Sequence, residues 1–212
     1  MDITHPLAQQ YAEKYTSSED PLLKEISDFT SANHPQAQML SGHLQGKFFE
    51  MISCMIQPER ILEIGTFTGY SAICFARGLK QRGRLHTIEI DDKVAAIAQE
   101  YFNRSKFGKQ IILHVGNALK VLNQLSETWD LVFIDADKEG YINYFNRVLP
   151  KVRKNGYILA DNVLFHGQVL ENRVKGKNAK AIKAFNDYVQ SRTDVEKMML
   201  PLRDGIYLIR KL

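Results

Sequence analysis

Two apolar rhythms divide the chain. Between residues 7 and 56 the apolar positions recur at steps of three and four, which predicts three helices. They are "LAQQYAEKYT" (7–16), "PLLKEISDFTSAN" (21–33) and "HLQGKFFEMISCMI" (43–56). Pro21 opens the second behind Ser-Glu-Asp capping candidates, and "HPQAQMLSG" between the second and third predicts a loop. From residue 60 onward short apolar runs alternate with helical patterns. "RILEIG", "RLHTIEID", "QIILHVG", "WDLVFIDA" and "GYILADN" predict strands. "GYSAICFARGL", "DKVAAIAQEYFNRS" (with Asp92 as its N-cap), "NALKVLNQL", "EGYINYFNRVLPKV" and "NAKAIKAFNDYVQSR" predict helices. The tail "VEKMMLPLRDGIYLIRKL" predicts a β-hairpin turning at Asp204-Gly205.

Strands such as "RILEIG" and "DLVFIDA" are apolar on both faces, which calls for helices on both sides of the sheet. The fold class expected is therefore α/β, a Rossmann-like, doubly wound, mostly parallel sheet with a C-terminal antiparallel hairpin. No repeat or low-complexity linker interrupts the 212 residues, so one domain is expected, with a helical extension over 1–45 and a core over 46–212. A hydrophobic content of 44% is enough for one sizeable core. No apolar stretch reaches the ~18 residues of a membrane span, and "MDITHPLAQQYAEKYTSSED" has no signal-like block. A cytoplasmic setting follows, with Cys54 and Cys74 read as reduced core residues. The net charge of +4 comes from interspersed charges, unlike the footprint of an obligate nucleic-acid binder.

In such sheets ligands bind beyond the carboxyl ends of the strands. The residues that matter are then Glu63-Ile64-Gly65, Glu89-Ile90-Asp91, Gly116-Asn117-Ala118, Asp135-Ala136-Asp137 and Asp161-Asn162. The first loop, "LEIGTFTGYSA", lacks the GxGxxG of a dinucleotide fold and the GxxxxGK[ST] of a P-loop. Glu63 would repel a phosphate and attract an ammonium group, while Glu89 suits the two hydroxyls of a ribose. Together they point to S-adenosylmethionine and away from a nicotinamide-dependent oxidoreductase. Either feature alone could be a plain glycine turn or a solvated acid.

The series "LEIGTFTGYSA", "IEID", "GNAL", "DLVFIDADKEGYINYF" and "LADNVLFHG" resembles the motifs of metal-dependent class I O-methyltransferases, the catechol and caffeoyl-coenzyme A O-methyltransferase family of bacterial type. The resemblance runs from about Met39 to the C-terminus. It implies cofactor contacts at Glu63, Gly65, Phe67, Gly69, Ser71, Glu89, Ile90, Asn117, Ala118 and Asp135. It implies a divalent cation (Mg²⁺, or Mn²⁺ or Ca²⁺) on Asp135, Asp161 and Asn162, and catalysis by Lys138 with Asp135. The residues agree independently, since two carboxylates and an amide oxygen without His or Cys form a hard oxygen site. A lysine beside such a cation is pushed toward its neutral form and can serve as a general base. The plainer readings are Asp161-Asn162 as a turn cap and Lys138 as a solvated partner of Glu139.

Some positions depart from that family. Asn117 stands where "GDA" is common, and Asp137, His166 and Ala37 stand where the animal catechol enzymes place bulky walls. Met39, Asp137, His166 and Arg203 are the substrate-side candidates. Lys175 and Lys177 either flank the pocket mouth or form a solvated run, and Tyr141, Tyr144 and Phe145 read as core. The expected substrate is a small catechol-type phenol, simple catechols and caffeic-type acids included. A tRNA 5-hydroxyuridine methyltransferase is the alternative, and a non-catalytic RNA-binding module would not need the lysine and the three oxygen ligands together. The apolar faces of the first two helices and the family's extended members predict a homodimer.

Overall fold

The computed structural model describes residues 4–212. The apolar runs form one seven-stranded sheet in the order β3-β2-β1-β4-β5-β7-β6. Its strands are β1 (Arg60–Ile64), β2 (Arg84–Glu89), β3 (Ile111–Val115), β4 (Trp129–Ile134), β5 (Val152–Asp161), β6 (Val195–Leu200) and β7 (Ile206–Lys211). The pairs among β1 to β5 are parallel, whereas β7 runs antiparallel to both β5 and β6. The expected hairpin is therefore present, and the reversal of β7 brings its turn to the same edge as the carboxyl ends of β1 to β5. Strand order reverses between β1 and β4, which opens a crevice at that edge.

Alternation along the strands feeds two cores, one on each face. Leu62, Ile64, Val132, Ile134 and Ile158 pack with α6 (Ala118–Gln124), α7 (Tyr141–Val148) and α8 (Lys177–Ser191). Ile61, Leu131, Phe133 and Leu159 face α2 (Pro21–Asn33), α3 (His43–Ile56), α4 (Tyr70–Ala76) and α5 (Asp92–Arg104). On that second face Phe49, Phe75 and Phe133 have ring centroids 4.6 to 5.2 Å apart, an arrangement that adds a specific attraction to their burial. α2 is not an appendage, because Leu23 and Ile26 join this core; α1 (Pro6–Lys14) buries none of its residues. No described helix is long and apolar enough to cross a membrane.

Several local expectations shift. Asp91, not Asp92, caps α5: it keeps an extended backbone and its carboxylate accepts from Lys93 N at 2.8 Å, while Asp92 is already helical. Cys74 is buried but Cys54 is exposed, since α3 turns Gln45, Phe49 and Ser53 inward and Cys54 falls outside that stripe. The helix expected over 139–152 is broken into a 3-10 turn (Lys138–Gly140), α7 and a second turn (Leu149–Lys151), and β5 already begins at Val152. Pro150, without an N–H, fits this early end. Short 3-10 turns also occupy Ala37–Met39 and Phe165–Leu170.

Candidate active site

A cleft of about 1540 Å³ lies over the carboxyl ends of β1 to β5. Its two halves are built differently. One half is a cradle of backbone turns that begins at Gly65. There φ is +101°, and an added Cβ would lie 1.8 Å from the Asp135 carbonyl oxygen, so only glycine lets the β1 and β4 tips meet. Glu89 organises the next turn. One carboxylate oxygen accepts from Phe67 N at 2.8 Å; the other accepts from Ile90 N at 2.9 Å and Asp91 N at 3.0 Å. This grip holds Phe67 in the left-handed region at φ 49°. Asn117 accepts from Lys120 N at 3.2 Å and caps α6, a task its amide shares with the acid it replaces.

Glu63 sits behind this wall rather than on it. It is fully buried, and its carboxyl accepts from Ser71 Oγ at 2.6 Å and Thr87 Oγ1 at 2.5 Å. Burial pushes its pKa up to about 8 against the pull of those two hydroxyls. Ser71, Gly65, Phe67, Ile90, Asn117 and Ala118 do line the cleft; Gly69, the N-cap of α4, lies behind them.

The other half gathers the ionisable side chains Asp135, Lys138 and Asp161. Lys138 Nζ donates to Asp135 Oδ1 at 2.9 Å, to Asn162 Oδ1 at 2.7 Å and to the Tyr141 hydroxyl at 2.8 Å. Burial alone would disfavour its charge, but the Asp135 carboxylate and Tyr141 outweigh that and raise its pKa. Asp161 is buried: Oδ2 accepts from Gln45 Nε2 at 2.6 Å and Oδ1 from Asn162 N at 2.7 Å. Burial, then the charge of Asp135, hold it up to about 7. Among the described residues no three His, Cys, Asp or Glu side chains are grouped to hold a metal. The group here is two carboxylates and an amide, and two of those oxygens already converge on one cationic nitrogen.

The hairpin turn closes this half. Asp204 accepts from His166 N at 2.5 Å and Asn162 Nδ2 at 3.3 Å, and Arg203 donates to Leu40 O at 2.8 Å and Gln45 Oε1 at 2.9 Å. Asn162, Phe165, His166 and Arg203 all have φ between 45° and 56°, so this corner stores backbone strain of the kind that clusters at functional sites. Met39, Asp137, His166 and Arg203 all line the cleft; Tyr144 donates its hydroxyl to Asp137 and lines it too. Tyr141, Tyr144 and Phe145 are buried as expected. Lys175 and Lys177 are exposed and outside the cleft wall.

The sequence reading missed Gln45, Tyr144 as a wall residue, and Asp204. One signal was present for Gln45, a polar residue four positions before Phe49 on the inward stripe of α3.

Comparison with known proteins accounts for this arrangement. The sequence model of the O-methyltransferase family matches residues 13–212. Catechol O-methyltransferase from Niastella koreensis is 35% identical over 188 residues, covering 87% of this chain and 84% of that one. Probable caffeoyl-CoA O-methyltransferase 1 from Dictyostelium discoideum is 33% identical over 208 residues, covering 95% and 90%. The O-methyltransferase from Bacillus cereus, solved in complex with SAH, superposes with a TM-score of 0.87 at 29% identity over 97% of each chain. An oxidoreductase reading falls away: the chain belongs to the O-methyltransferase family.

Proposed function

We propose that the protein transfers the methyl group of S-adenosylmethionine to one hydroxyl of a small catechol-type phenol, with a divalent cation held by Asp135, Asp161 and Asn162. The observation that carries this reading is the convergence of Asp135 Oδ1 and Asn162 Oδ1 on one positive centre, Lys138 Nζ, at 2.9 and 2.7 Å, beside the buried Asp161. All-oxygen donors of this kind suit Mg²⁺, Mn²⁺ or Ca²⁺. A cation bound there supplies positive charge that acidifies a phenolic hydroxyl.

The chain's own residues do the rest. A carboxylate has about four lone-pair sites, and three of those on Glu89 are taken by backbone N–H groups, which leaves acceptor capacity for a ribose hydroxyl. Glu63 fixes the Ser71 hydroxyl on the cleft wall, where it would meet the amino-acid end of the cofactor. Lys138 can take the phenolic proton only when Asp135 is engaged elsewhere, since beside that carboxylate and Tyr141 it stays an ammonium. In the displacement an oxygen–carbon bond forms, the carbon–sulfur bond breaks, and the sulfonium becomes a neutral thioether. The protein's task is to align these three atoms and exclude water.

The lining favours a small substrate over a polyanion. Among the described residues eight acidic side chains, including Asp91, Asp137 and Glu139, line the cleft, against Lys138 and Arg203 as its lysines and arginines. A tRNA backbone needs the opposite balance. The deciding experiment gives the purified protein labelled cofactor with a catechol, a monophenol or bulk tRNA. The catechol should turn over fastest, EDTA should abolish turnover, and Mg²⁺ or Mn²⁺ should restore it. Full activity without metal removes the cation from the proposal. A tRNA preference above ~10²-fold in kcat/KM, about 2.7 kcal/mol, replaces the substrate.

A further inference from the structure

Gln45 occupies a place that the period of α3 reserves for the core. It is 1% exposed and shares the inward stripe with Phe49 and Ser53. A buried amide is costly unless its polar atoms are bonded, and both ends of this one are. Nε2 donates to Asp161 Oδ2 at 2.6 Å, and Oε1 accepts from Arg203 Nη1 at 2.9 Å. Its orientation is forced, because a carboxylate only accepts and a guanidinium only donates. The other Asp161 oxygen accepts from Asn162 N at 2.7 Å, so the carboxylate is fixed from both sides. Arg203 is itself anchored on Leu40 O at 2.8 Å, just ahead of α3. The helix cannot drift, since a Cβ on the next residue, Gly46, would lie 2.5 Å from the Tyr70 ring.

We propose that Gln45, oriented by Arg203, is a positioning residue that sets the Asp161 carboxylate for cation binding. The inference rests on the divalent-cation reading above. It makes the hairpin turn a remote support of the cation site through a chain of two hydrogen bonds, Arg203 to Gln45 and Gln45 to Asp161. Outer partners of metal ligands commonly tune affinity 10- to 100-fold.

The test titrates Mn²⁺ alone into the full-length protein by calorimetry, comparing wild type with Gln45→Met, which keeps length and volume but bonds neither neighbour. Mn²⁺ affinity should fall about tenfold or more, while SAH affinity without cation stays at the wild-type value. Unchanged Mn²⁺ affinity overturns the inference, and so does an equal loss of SAH binding, which would mark a general collapse of the cleft. If Gln45→Met does not fold, Arg203→Met decides by the same titration, because it frees the amide without touching Asp161; wild-type affinity there also overturns it. Absence of Mn²⁺ binding by the wild type removes the cation reading and this inference with it, whereas a defect confined to the variants separates the two.

Discussion

Glu89 organises one turn of the cleft wall with a single side chain. Its carboxylate accepts from Phe67, Ile90 and Asp91 N–H groups and so fixes the loop shape; under the proposed function the same two oxygens also meet the ribose. Glu89→Gln replaces one accepting end with a donor and should weaken S-adenosylmethionine binding by about 1 kcal/mol or more, read by calorimetry; unchanged affinity would show that Glu89 serves the loop alone. Residues of this type were legible in the sequence because they end strands: Glu89, Asp135, Lys138, Asp161 and Asn162 all stand at or just past a strand tip. Gln45 and Asp204 were not, because their partners are long-range. Gln45 meets Asp161 116 residues away, and Asp204 meets Asn162 42 residues away. The inward turn of Glu63 was equally hidden, since Thr87 and Ser71 decide it from neighbouring elements.

Between elements, β2 and β3 are joined by more than their ladder. His86 and His114 stack at 5.2 Å with ring nitrogens 3.0 Å apart, and the Trp129 ring stands edge-on to His86 at 5.5 Å. Burial, then the neighbouring His114, lower the His86 pKa to about 4. Above pH ~6.5, the usual histidine value, neither the folded nor the unfolded chain protonates this group. Between there and about 4 the unfolded chain takes up a proton that the fold refuses, so stability falls as the pH falls, by roughly 2–3 kcal/mol. Urea unfolding at pH 7 and pH 4 should show a smaller loss for His86→Phe than for wild type; equal losses would exonerate His86. Element types were readable from period alone. Their ends were not, as the split near Pro150 and the cap at Asp91 show, because caps and 3-10 turns hinge on single hydrogen bonds.

For the molecule as a whole, α1 with its C-cap and α3 leave Leu7, Tyr11, Tyr15, Met51 and Met55 exposed. Apolar surface of this kind marks an interaction site when it is contiguous, and a second copy of this chain is the proposed cover. Sedimentation at micromolar concentration should give a dimer; a 24.3 kDa species would refute it. The two halves of the cleft differ in how far along the chain their parts are gathered. The half built of backbone turns comes from one stretch, Gly65 to Ala118, whereas the half around Lys138 draws on α3, the β4 and β5 tips and the hairpin turn. The Arg203–Gln45 bond alone closes a loop of 158 residues. Contacts of such sequence separation form late and depend on the rest of the chain being in place. The first half is thus the more local property and the second the more global one. Under the proposed function, a chain frayed only at the hairpin should still load its cofactor while losing turnover, so donor occupancy and turnover would report on different depths of folding.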